Sequence, residues 1–518
     1  MSANRDSISP IQEFRKSLAS LRTFLGAQSG TDDVEFTGVT LDSRDVRTGD
    51  LFLALPGAKV HGAAFVEDVK AKGAVAILTD AKGAEIVGDS LPFVVMDDPR
   101  KVVGLIAAWF YDAPFTSLGA VGITGTNGKT TTASLLDQIW RMDGRSSGFI
   151  GTIGITIDGE DFPTTFTTPE GTDLQSIVAT MRERHVRNMV MEVSSHALEL
   201  RRTAGARFIA AGFTNLTQDH LDFHGDMESY FKAKSKLFSH EYSDLGIINI
   251  DDPYGRRLYE SKSIPMQSFS RKNRQADWYY EEAALGSSRI GYHVRIRGTG
   301  GILIEGFLPL VGAHNLDNAL LSIALAVASG VDPIAIGYYM QNLAAPVGRL
   351  EPVKLGQNFL ALVDYAHTPD AVEGALRTAR ELTSGRVIAV LGCGGDRDRR
   401  KRPIMGDALR AGSDISIFTS DNPRSEDPLE ILREMVGTEP GEHESVIPDR
   451  REAIAYAIAQ AERGDCVIVL GKGHEVGQEI KGVKHPFDDR IELARAIEWL
   501  NEPEGLNGAP ETEIGGEN

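Results

Sequence analysis

Short apolar runs alternate with longer helical patterns along nearly the whole chain, which predicts an α/β protein built on parallel sheets. Between residues 34 and 112, strand candidates at 51–55 and 74–78 are interleaved with helical stretches such as 65–72, as in a small α/β domain. Asp112-Ala113-Pro114 breaks the helical pattern of 102–111 and sets a boundary near 115. Strand candidates at 189–193, 208–213 and 245–250 then alternate with helices, the signature of a parallel sheet with flanking helices. Residues 264–311, with short runs at 293–296 and 302–304, read as an antiparallel appendage, and a helix over 316–328 follows. Pro346-Val347-Gly348-Arg349 marks a second boundary, beyond which runs at 387–391, 415–419 and 466–470 repeat the buried-strand pattern. The expected domains are 18–115, 116–347 and 348–500, with residues 1–17 frayed. The segment 501–518 carries five glutamates and no basic residue and is expected to be disordered.

A length of 518 residues suits these three domains, each large enough for its own core. The formal charge of −19 opposes nucleic acid and anionic membranes as partners. Cys393 and Cys466 lie at the edges of apolar runs without metal-ligand spacing, as expected of reduced thiols in a cytoplasmic protein. The first residues lack the apolar core of a signal peptide, and no run reaches the roughly 18 apolar residues of a membrane span.

The densest chemistry is Thr124-Gly125-Thr126-Asn127-Gly128-Lys129-Thr130-Thr131, between an apolar strand and a helix. Gly125 and Gly128 let backbone N–H groups approach phosphate oxygens, Lys129 supplies positive charge, and the Thr130 hydroxyl can join a Mg²⁺ shell. A generic phosphate loop has glycine where this chain has Ile123, so the loop is a variant whose surroundings must define its task.

The other polar clusters follow strands, where open α/β sheets bind ligands. Glu192 closes an apolar strand and is placed to hold Mg²⁺ directly or through water. His220 and His224 stand in a carboxylate-rich segment, either of them a candidate for a metal or phosphate. Asp226 caps a helix whose apolar stripe of Met227, Tyr230, Phe231, Leu237 and Phe238 is completed by Lys234. That lysine is either paired or chemically changed, or it snorkels; spacing does not choose between these. Arg397, Asp421-Asn422-Pro423-Arg424 and Gly471-Lys472-Gly473-His474-Glu475 follow three further strands and suit a ligand bearing both carboxylate and amine. The basic run Arg399-Arg400-Lys401-Arg402 reads as a solvated helix face.

Taken together, these residues resemble the Mur ligases, ATP-dependent amide-forming enzymes of bacterial cell-wall precursor synthesis. The resemblance spans essentially the whole chain. It rests on the loop 124–131, Glu192, His220, Asn315 and Asn318 within His314-Asn315-Leu316-Asp317-Asn318, Arg349, and Asp364 within Asp364-Tyr365-Ala366-His367-Thr368-Pro369. It implies three α/β domains: a small N-terminal one, a central parallel-sheet domain like those of phosphate-loop ATPases, and a Rossmann-like C-terminal one. ATP contacts then fall to Gly125 through Thr131, Asn315, Arg349 and Asp364, and catalysis to Lys129, Glu192, His220 and Lys234. Lys234 matches the lysine that the family carbamylates, which would make it a Mg²⁺ ligand with Thr130, Glu192 and His220 nearby.

Within the family the chain resembles the branch that adds the third residue of the stem peptide. Leu41, Ser43, His61, Gly62 and Ala63 sit where that branch holds the uridine nucleotide, and Thr167, Thr168, Ser194 and Arg202 match contacts to the muramoyl dipeptide. Asp421, Asn422, Pro423 and Arg424 look like the signature of members using meso-diaminopimelate, with Arg397, Gly471 and Glu475 as further contacts. Leu200 departs from the pattern, standing where many members carry a glutamine. The implied partners are ATP, UDP-MurNAc-L-Ala-D-Glu and meso-diaminopimelate, acted on by a cytoplasmic monomer without nucleic acid or membrane. Folylpolyglutamate synthetases share the loop but not the first-domain residues, and lysine-adding relatives differ at Asp421–Arg424. A nucleotide-gated binding protein would not require the whole metal set.

Overall fold

The computed structural model describes residue 5 and residues 8–27, 33–57, 59–286, 291–437 and 439–501. Three main sheets organise these residues, all of them parallel at their centres. In the first, Gly38–Thr40, Asp50–Leu53, Ala76–Thr79 and Phe93–Val95 lie side by side and parallel. The run predicted over 102–111 is the helix Val103–Phe110, and its Phe110 packs with Phe36, Leu51 and Leu78.

The second sheet has eleven strands among the described residues. At its centre Gly119–Thr124 lies between Asn188–Glu192 and Ala210–Phe213, parallel to both. The chain thus departs in opposite directions on the two sides of the phosphate-loop strand, the topology that opens a ligand crevice at its carboxyl end. The helix Lys129–Met142 follows the loop and buries Leu135, Leu136, Ile139 and Trp140 in one core with the helix Ala313–Ala328.

The expected appendage at 264–311 is a continuation of this same sheet. Met266–Ser270 adds a parallel strand beside Gly246–Asn249, and only from Trp278–Leu285 onward do antiparallel neighbours, Tyr292–Arg297 and Leu303–Leu308, extend the edge. Alternation within the runs showed strands, but it carries no information on which edge they join.

The third sheet orders Glu351–Pro352, Leu360–Asp364, Cys466–Leu470, Val387–Cys393, Ile415–Ser420 and Glu444–Val446, all parallel except the first pair. Its central strands are buried along their whole length, which is why they read as unbroken apolar runs.

The described residues before 18 are not frayed. Ile8 and Phe14 are 4% and 5% exposed. Ile8 joins the central core with Phe115 and Leu118, Phe14 packs on Tyr111, and Lys16–Ser17 pairs with Glu35–Phe36. The burial of two isolated apolar residues outweighs the polar composition around them. Of the tail expected to be disordered, all but Asn501 lies outside the described residues.

Candidate active site

The phosphate loop is built by two glycines that no other residue could replace without strain. Gly125 and Gly128 have φ of 149° and 89°, and a Cβ on them would collide with Thr214 Oγ1 and Asn318 Oδ1 respectively. Asn127 is tied to the neighbouring strand end, its N–H donating to Asn215 Oδ1 at 2.9 Å. Lys129 reaches back over the loop, donating to the carbonyls of Gly125 at 3.0 Å and Thr126 at 2.9 Å. Burial lowers its pKa, and Arg349 adds to that lowering while Glu192 and Asp219 oppose it.

Glu192 is fully buried at the end of the adjacent strand. Its Oε1 accepts from Thr130 Oγ1 and from the Thr152 N–H, both at 2.9 Å, and its Oε2 accepts from Thr152 Oγ1 at 3.3 Å. The carboxylate therefore faces the loop hydroxyl. Thr152 gave no signal in the sequence beyond its place after the strand Ser147–Gly151.

Lys234 is 1% exposed in the helix Met227–Ser235, which Asp226 caps through Ser229 N–H at 2.7 Å. It does not snorkel. Its Nζ donates to Gly125 O at 2.8 Å and lies 4.8 Å from the Tyr230 ring centre. Burial, and then the Lys129 charge, push its pKa well below the ordinary value. His220 stands at φ 54° before a short helix, its side chain 46% exposed and 3.4 Å from Asp219. Removal of water from the ring lowers its pKa despite Asp219, with His196, Lys234 and Lys129 adding to the effect. His224 turns away from the loop to Ser195 Oγ at 2.9 Å.

The third sheet brings Arg349 and Asp364 to the same place. Asp364 accepts the N–H groups of Leu350 at 2.7 Å and Ala366 at 2.8 Å, and burial raises its pKa. Arg349 lies 4.5 Å from the centre of the Tyr365 ring and donates to Thr130 Oγ1 at 3.4 Å, while its buried Nε has no partner among the described residues. Asn127 Nδ2 meets Thr368 Oγ1 and Asp370 Oδ2, both at 3.4 Å. A cleft between the two sheets, with an accessible volume of about 120 Å³, is lined by Asn127, Gly128, Asn315, Asn318, Arg349 and Asp364.

Two further polar clusters lie outside this cleft, one at the second sheet and one in the first sheet's domain. Thr168 Oγ1 donates to Glu192 O at 2.8 Å and accepts the Ser194 N–H at 3.0 Å, and Thr167 Oγ1 lies 3.1 Å from Thr152 Oγ1. Arg202 donates to Thr168 O at 3.3 Å and pairs with Glu170 at 2.9 Å. Leu200 ends the short helix Ser195–Glu199 that Ser194 caps. In the first sheet's domain, His61 accepts the Ala63 N–H at 3.0 Å and meets Asp80 at 3.1 Å, Gly62 N–H donates to Leu55 O at 2.8 Å, and Lys72 donates to Ser43 O at 2.8 Å. Leu41 closes beside Ser43 at the end of the strand Gly38–Thr40.

In the third domain, Arg397, Asp421–Arg424 and Gly471–Glu475 gather beyond the adjacent strands Val387–Cys393, Ile415–Ser420 and Cys466–Leu470. Arg424 adopts φ 51° and donates from Nη1 to Gly395 O at 2.6 Å. Asn422 donates to Glu475 Oε2 at 2.8 Å. Pro423 separates the two, and its carbonyl would be struck by a Cβ at Gly395.

The comparisons with known proteins match this layout. Residues 35–111 match "Mur ligase family, catalytic domain", 123–326 "Mur ligase middle domain", and 348–473 "Mur ligase, glutamate ligase domain". The chain belongs to the Mur ligase family. It is 47% identical over 489 residues to the UDP-N-acetylmuramoyl-L-alanyl-D-glutamate--2,6-diaminopimelate ligase of Streptomyces avermitilis, covering 93% of this chain and 96% of that one. The protein of the same name from Corynebacterium glutamicum is 43% identical, over 89% of this chain and 92% of the relative. A solved structure with that name superposes with a TM-score of 0.64 at 33% identity, covering 90% of this chain and 96% of its own. MurF from Acinetobacter baumannii shares the fold, with a TM-score of 0.66 at 18% identity over 94% and 100% of the two chains.

One expectation about this Mur ligase is overturned. Arg399-Arg400-Lys401-Arg402 is not a solvated face throughout, because Arg402 is 0% exposed and Lys401 8%. Arg402 reaches Glu426 and Glu434, each at 2.7 Å, and Lys401 donates to His367 O at 3.1 Å. Periodicity could not reveal this, since the paired carboxylates come from a different segment.

Proposed function

We propose that this Mur ligase joins meso-diaminopimelate to the D-glutamate of UDP-MurNAc-L-Ala-D-Glu, using ATP, in peptidoglycan precursor synthesis. The observation that carries the reading is the convergence of Arg424, Asn422 and Glu475 at neighbouring strand ends, where guanidinium and carboxylate offer partners for both charges of an amino-acid end. The diaminopimelate-ligase relatives, 47% and 43% identical over most of their length, support it.

ATP is assigned to the cleft, with Lys129 and Arg349 facing its phosphates and the loop N–H groups cradling them. Mg²⁺ fits the donors present: the Thr130 hydroxyl and Glu192 carboxylate are hard oxygens 2.9 Å apart, to which phosphate oxygens add the remainder. Bound there, Mg²⁺ compensates phosphate charge. Among the described residues no group of three or more His, Cys, Asp and Glu side chains is placed to hold a metal ion by itself. A carbamylated Lys234 would add another oxygen donor: the neutral amine attacks CO₂, loses a proton and becomes an anion. His220 lies at the rim of this set.

In the first step the D-glutamyl γ-carboxylate, positioned by Arg202 and the Thr167–Thr168 segment, attacks the γ-phosphoryl group, and ADP leaves. The step needs mainly positioning and charge compensation, which Lys129 and Arg349 supply. In the second, the neutral diaminopimelate amine, presented by Arg397, Arg424 and Glu475, attacks the acyl carbon, the C–O bond to phosphate breaks, and the proton lost from nitrogen leaves with the phosphate as the amide forms. The first-domain residues Leu41, Ser43, His61, Gly62 and Ala63 are assigned to the uridine nucleotide. We assign these water-soluble substrates and the enzyme to the cytoplasm and read the enzyme as a monomer. The test is phosphate release with ATP, Mg²⁺ and the UDP-linked dipeptide. Release that ignores diaminopimelate, or responds equally to L-lysine, would overturn the reading.

A further inference from the structure

Lys472 carries an ammonium with no solvent exposure, held in the turn that follows the strand Cys466–Leu470. Such a charge is costly unless several acceptors surround it. Its Nζ donates to Asn422 Oδ1 at 3.0 Å and to Glu475 Oε2 at 3.1 Å, and Asp421 Oδ1 is 4.0 Å away. Because it is sealed from solvent, Lys472 cannot itself touch a ligand in the cleft. Its effects pass through the groups it holds.

Two such effects follow from the hydrogen bonds. Asn422 Oδ1 receives both Lys472 and the Glu479 N–H, at 3.0 and 2.9 Å, so its Nδ2 must point the other way, to Glu475 Oε2 at 2.8 Å. Glu475 Oε2 is thereby saturated by two donors, whereas Oε1 has no hydrogen bond among the described residues. The second effect is charge: with Asp421 and Glu475, the Lys472 ammonium brings the cluster from two negative charges to one.

We infer that Lys472 is a positioning residue for the amine substrate: by fixing Asn422 and Glu475 and cancelling one carboxylate, it presents a single free oxygen to a ligand end bearing both ammonium and carboxylate. This rests on the diaminopimelate reading above. A cluster left with two negative charges would repel the ligand carboxylate. It would weaken discrimination against L-lysine, whose side-chain end has none.

The experiment compares wild type, Lys472→Met, Lys472→Arg, Glu475→Gln and the Lys472→Met/Glu475→Gln pair in steady-state assays varying each substrate. For Lys472→Met the KM for diaminopimelate rises about tenfold or more while those for ATP and the UDP-linked dipeptide stay within about twofold, and preference over L-lysine falls. Lys472→Arg restores much of the loss. In the Glu475→Gln background the effect of Lys472→Met shrinks to about twofold, the coupling expected of a residue acting through Glu475. If Lys472→Met does not fold, Lys472→Gln carries the same expectations. A uniform rise in all three KM values, or an undiminished effect in the Glu475→Gln background, overturns the inference alone. A wild type that does not turn over diaminopimelate overturns the proposed function and this inference with it.

Discussion

Lys129 and Lys234, more than a hundred residues apart, donate to one carbonyl oxygen, that of Gly125, at 3.0 and 2.8 Å. Two ammonium groups on one acceptor repel, and the lowered pKa of Lys234 is partly that repulsion. A carbamate on Lys234 would reverse its charge and convert the repulsion into an attraction.

Lys234→Ala is therefore expected to lose at least about 10²-fold in kcat, with no recovery on adding bicarbonate. Incubating the wild type with ¹³C-bicarbonate should give a carbamate carbon resonance that the variant lacks. Full activity in Lys234→Ala would reject the assignment. The unmodified lysine also has a pH signature. Its folded pKa lies below the unfolded 10.5, so the unfolded chain binds more protons in that interval and stability rises with pH there. Denaturant titrations across the alkaline range should show that rise in bicarbonate-free wild type and a smaller one in Lys234→Met.

Glu192 is expected to act on turnover more than on substrate affinity. Replacing it by Gln keeps its shape and a partner for Thr130 but removes the charge placed beside the loop hydroxyl. The expected outcome is a fall of about 10²-fold in kcat, with more Mg²⁺ required for half-maximal rate. An unchanged Mg²⁺ dependence would remove Glu192 from the cation's surroundings.

Arg402 belongs to stability. Its guanidinium, 1% exposed, is paired with Glu426 and Glu434, both at 2.7 Å, and also donates to Gly394 O at 3.2 Å. Replacement by Met leaves Glu426 and Glu434 with the exposed Arg399 alone, at 3.5 and 2.6 Å, and should cost about 3 kcal/mol, the low end for breaking a buried pair, measured by denaturant unfolding. The Arg402 hydrogen bonds hold the Glu426 pKa down from 4.5 to about 2. Its contribution to stability is thus complete above 4.5 and is lost as pH falls toward 2. Acid unfolding of Arg402→Met should lack that component.

How much of this was legible depended on whether the physics was local. The strand at Gly119–Thr124 and its loop could be read because phosphate binding demands glycine, lysine and threonine at fixed spacing on one short segment. Lys234 could be flagged because the stripe of its own helix includes it. Arg402 could not, because Glu426 and Glu434, the residues that make its burial tolerable, are more than twenty positions away. The fate of Met266–Ser270 was hidden for a similar reason: a strand's sequence shows its faces, not its neighbours. Ile8 and Phe14 are not legible as core because Ile11 falls between them at the same three-residue spacing and is 94% exposed, so nothing local separates the two that dock from the one that does not.

Glu170 links the first domain to the central one. It accepts from Arg100 Nη1 at 2.7 Å and pairs with Arg202 at 2.9 Å, while Arg202 also lies 4.5 Å from the Phe166 ring centre. Arg100 precedes the helix that packs on the first sheet, so one carboxylate sets Arg202, proposed for the dipeptide, against the domain proposed for the nucleotide. Glu170→Gln leaves both arginines less firmly held. The KM for the UDP-linked dipeptide should rise about fivefold, the scale of losing one partly buried ion pair, with the KM for ATP unchanged. Both constants come from one set of initial-rate measurements. A change in the ATP constant of the same size would mean that Glu170 acts on the fold as a whole rather than on Arg202.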